Sequence, residues 1–229
     1  MDRYNMETLL GARAFAYHAM HAVFGQEPTA GTRTVLASGV LDDLAAVFAD
    51  ADCPQVSEAA LALQEAARQA DDAEMLDNAY TRLLLGPGTL PASPWESTYI
   101  SKERVLFQES TLDVRRAYVA QDLIPQGYPH VADDHIAIEC DFLGKLGHRM
   151  VEALEAADEE RLRVTASASR SFLREHLGSW ADAFARNLCD STAQTGNPAE
   201  AFYAQAAATL ARLVEADAVL LQRLVDETC

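Results

Sequence analysis

The sequence predicts an all-α protein, and three observations predict it. Apolar residues recur at three- and four-residue intervals along most of the chain. No alternating apolar and polar run of useful strand length occurs. Only 11 glycines and 8 prolines stand among 229 residues, too few for the many tight turns of an all-β sandwich.

The elements follow in order. From Asn5 to Phe24 the stripe is Met6, Leu9, Leu10, Tyr17, Met20, Val23 and Phe24. From about Thr32 to Asp50 it is Val35, Leu36, Val40, Leu41, Leu44, Val47 and Phe48, predicting one helix. Ser57 is placed to cap a third helix running to about Ala70. Asp71 and Glu74 have capping-box spacing and open a fourth, carrying Leu76, Ala79, Tyr80, Leu83 and Leu84 and ended by Gly86 and Pro87. The stretch from Gly86 to Ser101 holds Pro87, Pro91 and Pro94 and predicts a loop, with Leu90, Trp95 and Tyr99 apolar enough to be partly buried. Helix resumes over about 112–123, and an irregular stretch, 124–134, is the candidate hinge between a larger N-terminal and a smaller C-terminal helical part. A long helix is expected from Asp133 or Asp134 to about Ala157, with carboxylates at the positive end of its dipole. Helices over about 159–177 and 179–190 meet at Gly178, and Asn197-Pro198 opens the last, to about Asp226.

Eighteen Lys and Arg face 35 Asp and Glu, a net charge of −17. Such a surface repels phosphate backbones and anionic lipid, so nucleic acid is not an expected partner, and a cationic one is favoured. Between Asp42 and Asp77 ten carboxylates stand against Arg68 alone, which is either a solvated face or a docking surface for a basic segment. Cys53, Cys140, Cys189 and Cys229 form no CxxC pair and fit a reducing cytoplasm. The first residues lack a basic region followed by an apolar run, and no run of about 18 apolar residues predicts a membrane span.

Three constellations bear on chemistry. Asp133-Asp134-His135 is followed by Glu139, so His135 and Glu139 share a helical face at metal-ligand spacing. The other histidines do not form the repeated Glu-x-x-His pairs of helical metal sites. A metal-dependent hydrolase on His135 and Glu139 is one reading; an acidic helix cap with a packed histidine, or a ligand contact at the hinge, are the others. No nucleophile elbow or phosphate-binding glycine loop is present, so no residue is expected to be catalytic. Arg115-Arg116 lies mid-chain inside a helix and predicts an exposed patch or an internal ion pair.

The loop Gly86-Pro-Gly-Thr-Leu-Pro-Ala-Ser-Pro-Trp95-Glu-Ser97-Thr-Tyr99 follows a helix end of the type Tyr80-x-x-Leu83-Leu84. Pro129-His-Val-Ala-Asp133-Asp134-His135 with downstream Glu139, then Phe172 to Trp180 and Phe202-Tyr203, complete an ordered set. Together they resemble the TorD/DmsD family, cytoplasmic chaperones that mature molybdenum-containing oxidoreductases. The segment Glu103 to Leu112 is especially similar to the DmsD branch, and Glu96 departs from it, standing where that branch often has glycine.

The resemblance implies an all-helical fold, and neither a cofactor nor a metal is expected. It implies as partners the twin-arginine leader peptide and catalytic subunit of a molybdopterin oxidoreductase, with the protein a monomer or a domain-swapped dimer. On that reading Leu90, Trp95 and Tyr99 form the apolar side of a leader groove stiffened by prolines, and Ser97 is also expected to bind the leader. Asp133, Asp134 and Glu139 are expected to meet the arginines, with His135 between.

Overall fold

The computed structural model describes residues 3–25, 30–100, 109–125 and 132–227. Within them the chain is helical, as the periodicity predicts. α1 (Arg3–Gly25), α2 (Ala30–Ala37), α3 (Val40–Asp50), α4 (Pro54–Gln69) and α5 (Ala73–Tyr80) form the first half. α5 runs on into a π-helical turn, Thr81–Leu85, before the proline loop and the short α6 (Ser97–Ile100). α7 (Glu109–Val119), α8 (Ile136–Glu155), α9 (Glu159–Glu175), α10 (Leu177–Thr192) and α11 (Pro198–Glu227) follow.

Several boundaries differ from the sequence expectation, each for a local reason. The expected Thr32–Asp50 helix is two, because Ser38-Gly39 interrupts it. The Ser38 hydroxyl donates to Val35 O (2.6 Å), and Arg68 Nε reaches over to Ala37 O (3.2 Å). α4 starts at Pro54, where a missing N–H costs nothing, and not at Ser57, which lies a turn inside. Asp72, not Asp71, caps α5, accepting from Met75 N at 3.0 Å. α8 begins only at Ile136, with His135 as its cap. The break expected at Gly178 falls two residues earlier, at His176 (φ −120°, ψ −103°). The cap predicted at Asn197 is present, with Oδ1 accepting from Ala199 N at 2.9 Å.

Buried side chains from α1 through α11 form one contiguous core. α8 packs along α1, and α11 crosses α4, α9 and α10. The middle of the expected hinge, 126–131, lies outside the described residues, as do 101–108 and Cys229. Among the described residues no helix is long and apolar enough to cross a membrane.

The α1–α8 approach is close enough to require glycine. A Cβ on Gly147 would lie 2.8 Å from Ala14 Cβ and 3.1 Å from Ala14 Cα. The backbones meet there, so no flexible side chain can yield. Gly147→Val is expected to lower stability toward the upper end of the roughly 1–3 kcal/mol typical of overpacking. A thermal melt checks this, and an unchanged Tm would refute the contact.

Candidate functional site

The helical stretch through Leu85 stops at Gly86, whose φ of +94° glycine adopts without strain. The proline loop then runs to the tip of α8 and docks there by backbone pairing. Ile136 N donates to Pro94 O (2.8 Å) and Glu96 N donates to Asp134 O (3.0 Å), an isolated antiparallel bridge between Trp95 and His135. The Asp134 carboxylate accepts from Ser97 N (3.0 Å), fixing the start of α6. The Trp95 ring stands edge-on to His135 at 5.3 Å, and Tyr99 packs on Trp180 at 5.2 Å. Trp95, Ser97, Asp134 and His135, chosen from sequence, are thus in contact in space.

The acidic groups at this junction face inward. Asp133, Asp134 and Glu139 are each 0% exposed, and Glu96 is 1% exposed. Asp133 takes both Arg115 Nε (2.7 Å) and Arg115 Nη2 (2.6 Å) on Oδ2, so half of the Arg115-Arg116 pair is an internal ion pair. Its backbone carbonyl accepts from the Tyr118 hydroxyl (3.0 Å). Glu139 Oε2 accepts from Trp180 Nε1 (3.3 Å), and Glu96 lies 3.2 Å from His176 Nδ1. In this arrangement the three carboxylates contact the protein's own groups, where the sequence pointed them at a peptide's arginines. Asp133 Oδ1, Asp134 Oδ1 and Glu139 Oε1 still have no donor among the described residues.

Two clefts flank the loop. One, of about 370 Å³, is lined by Leu90, Pro91, Tyr99 and Asn187. The other, of about 550 Å³, runs past Arg82, Gly86, Pro87 and Leu90. Leu90 and Tyr99 share the first cleft, and Leu90 also borders the second. Trp95 turns aside from both clefts toward His135, so the three apolar residues do not line one continuous wall.

His135 serves here as the helix cap. Its Nδ1 accepts from Ala137 N (3.2 Å), the helix-cap role. Glu139 points to Trp180 and Glu96, and among the described residues no group of three or more histidines, cysteines and carboxylates is arranged to hold a metal. Sequence reasoning missed the contributions of Glu96, Tyr118, His176 and Trp180. The departure at Glu96 was the available signal; its partner lies 80 residues away.

Burial sets the electrostatics. It raises Glu139 well above the usual carboxylate range, and Glu96 adds to the rise by its charge and a side-chain hydrogen bond, while Trp180 opposes it. Burial likewise raises Tyr118, with Glu139 and Asp133 adding to it. It lowers His135 to about 4, although Asp134 pulls the other way. From pH 4.5 up to its raised folded value, Glu139 keeps in the native state a proton that the unfolded chain has lost, so stability falls as pH rises. Between about pH 4 and 6.5 His135 is neutral when folded and charged when unfolded, so stability rises with pH. The two oppose each other below pH 6.5, and above it the Glu139 effect stands without the histidine. Glu139→Gln keeps an acceptor for Trp180 and a donor for Glu96. It is expected to match wild type near about pH 4 and to exceed it near about pH 8 in urea melts. A variant with the wild-type pH slope would refute the assignment.

A family model described as "Nitrate reductase delta subunit" matches residues 49–186, more than half of the chain and spanning this whole junction. The chain belongs to this family, the TorD/DmsD family. It is 28% identical over 175 residues to the "Chaperone protein TorD" of Aliivibrio fischeri, covering 75% of this chain and 77% of that one. It is 34% identical over 113 residues to the "Tat proofreading chaperone DmsD" of Salmonella typhimurium, covering 48% and 53%. A "Probable Tat proofreading chaperone DmsD" of Haemophilus influenzae is 30% identical over 109 residues, covering 48% and 46%. TorD/DmsD relatives of both names therefore match, the TorD protein over more of the chain and the Salmonella DmsD at higher identity. The segment that carried the resemblance to the DmsD branch, 103–112, lies partly outside the described residues.

Proposed function

We propose that this protein is a cytoplasmic maturation chaperone that performs no reaction of its own. It binds the twin-arginine leader peptide of a molybdopterin oxidoreductase and holds it, with the catalytic subunit, until cofactor insertion and export. The observation that carries this reading is the docking of a stiff, apolar loop on an acidic helix tip. A leader has an apolar core and a basic start. The clefts beside Leu90 and Tyr99 suit the first, and Trp95 adds a half-buried aromatic surface at their end. The net charge of −17 draws in the second. The oxygens of Asp133 and Asp134 that lack donors are chemical complements of a guanidinium, reached when the loop lifts from α8. In the closed arrangement Asp134, with Ser97 and His135, positions the loop.

The test is titration of the protein with a synthetic twin-arginine leader at two salt concentrations. Saturable binding is expected, weaker at high salt because exposed charges are screened beyond about 10 Å at 0.1 M. It is expected to weaken again when both arginines become glutamine or when the apolar core is made polar. Equal affinity for all three peptides, or no saturation, would overturn the proposal.

A further inference from the structure

A further cleft lined by described residues is remote in sequence from the proline loop. It lies between α9, α10 and α11 and measures about 670 Å³, within the roughly 300–1,000 Å³ of small-molecule sites. Leu173, Val214, Ala211 and Ala218 give it apolar lining, and Gly178 lets α10 approach closely there, since a Cβ on it would meet Leu173 O at 2.4 Å. Arg170 and Arg174, one turn apart on the same face of α9, and Arg212 of α11 line its walls. Three of the chain's 18 basic residues thus converge on one cleft in a protein of net charge −17.

The acidic lining answers Arg212 but forms no ion pair with Arg170 among the described residues. Asp182 pairs with Arg186 at 2.7 Å, outside the cleft lining, and Glu215 pairs with Arg212 at 3.1 Å. Arg174 pairs with its neighbour Glu175. The Arg170 side chain is half-buried and makes no hydrogen bond or ion pair among the described residues. A guanidinium offers a planar fork of donors matched to a carboxylate or phosphate. A basic peptide would be repelled here, a purely apolar ligand would leave Arg170 unanswered, and a bare inorganic anion would leave the apolar lining uncovered.

We propose that this cleft binds a small organic anion, an apolar body with a carboxylate or phosphate head held by Arg170. The proposal is independent of leader binding. Calorimetry on the full chain with 2-naphthoate, 1-naphthyl phosphate, neutral 2-naphthalenemethanol and inorganic phosphate tests it. At least one naphthyl anion is expected to saturate. Preference for one head identifies it as carboxylate or phosphate. The neutral probe and inorganic phosphate are expected to bind at least about tenfold more weakly, because each lacks half of the recognition. Arg170→Gln should cost at least about tenfold, whereas Arg116→Gln, in an exposed surface pair outside the cleft lining, should leave affinity within about twofold. Ala218→Phe, which fills the cleft from an exposed helix position, should abolish binding, with the circular-dichroism spectrum of each variant confirming its fold. No saturation by either anion, equal binding of the neutral probe, or wild-type affinity in Arg170→Gln would overturn the proposal.

Discussion

Replacing Arg13 with alanine is expected to cost about 3–5 kcal/mol of folding stability, the range for breaking a buried ion pair by removing one partner. That is a large share of the roughly 5–15 kcal/mol that keeps a typical domain folded. Arg13 is 0% and Asp217 2% exposed, and Arg13 Nε donates to Asp217 Oδ1 at 2.7 Å. Arg13 Nη1 donates to Leu143 O (3.1 Å), Tyr17 donates to Asp217 Oδ2 (2.8 Å), and the guanidinium lies 5.0 Å from the Tyr17 ring centre. Burial works against the Arg13 charge, but Asp217 and Tyr17 outweigh it, so its pKa rises. The group ties α1, α8 and α11 together at the centre of the fold, and its loss leaves an uncompensated carboxylate inside. Asp217→Asn should be costly for the reciprocal reason, and Arg13→Met with Asp217→Leu should cost less than the two single changes summed. Urea melts of the four proteins measure this. A loss under about 1 kcal/mol in Arg13→Ala would show that the pair is solvated or replaceable.

That network also marks where sequence reasoning stops. Arg13 and Asp217 are 204 residues apart, and each looks in sequence like a solvent-facing charge on an amphipathic helix. Nothing local distinguishes a buried pair from two exposed ones, because the distinction is made by the packing of α1 on α11. The helices themselves were legible, since a 3.6-residue stripe is a local property. So was the Asn197-Pro198 start, where cap and proline act on the backbone next to them. The one-residue error at Asp71 arose because Asp71 and Asp72 are equivalent caps until the geometry selects one. The juxtaposition of Trp95 with Asp134 and His135 came from the order of the landmarks, not from periodicity. The inward turn of Asp133, Asp134 and Glu139 was not legible, because the same acidic helix tip suits an exposed receptor and a buried anchor alike.

Trp95→Ala is expected to weaken leader binding by about thirtyfold, or about 2 kcal/mol, the threshold of an interface hot spot. The fold should survive. Trp95 meets α8 through backbone pairing that alanine retains, Ile136 N to Pro94 O and Glu96 N to Asp134 O. What alanine loses is the ring that stands edge-on to His135, half-buried at the seam between loop and helix. A peptide core laid along Leu90 and Tyr99 would end against that ring, and removing it deletes apolar area where water is already partly excluded. Trp95→Phe should recover part of the affinity, since it keeps an aromatic face of smaller area. The cleaner contrast is with Asp134→Asn. That side chain keeps an acceptor for Ser97 N, so a loss confined to leader binding would assign Asp134 to the arginines and not to the loop. If Trp95→Ala binds as tightly as wild type while Leu90→Ala does not, the peptide lies wholly in the outer clefts. The bridge to α8 would then serve only to hold the loop in place.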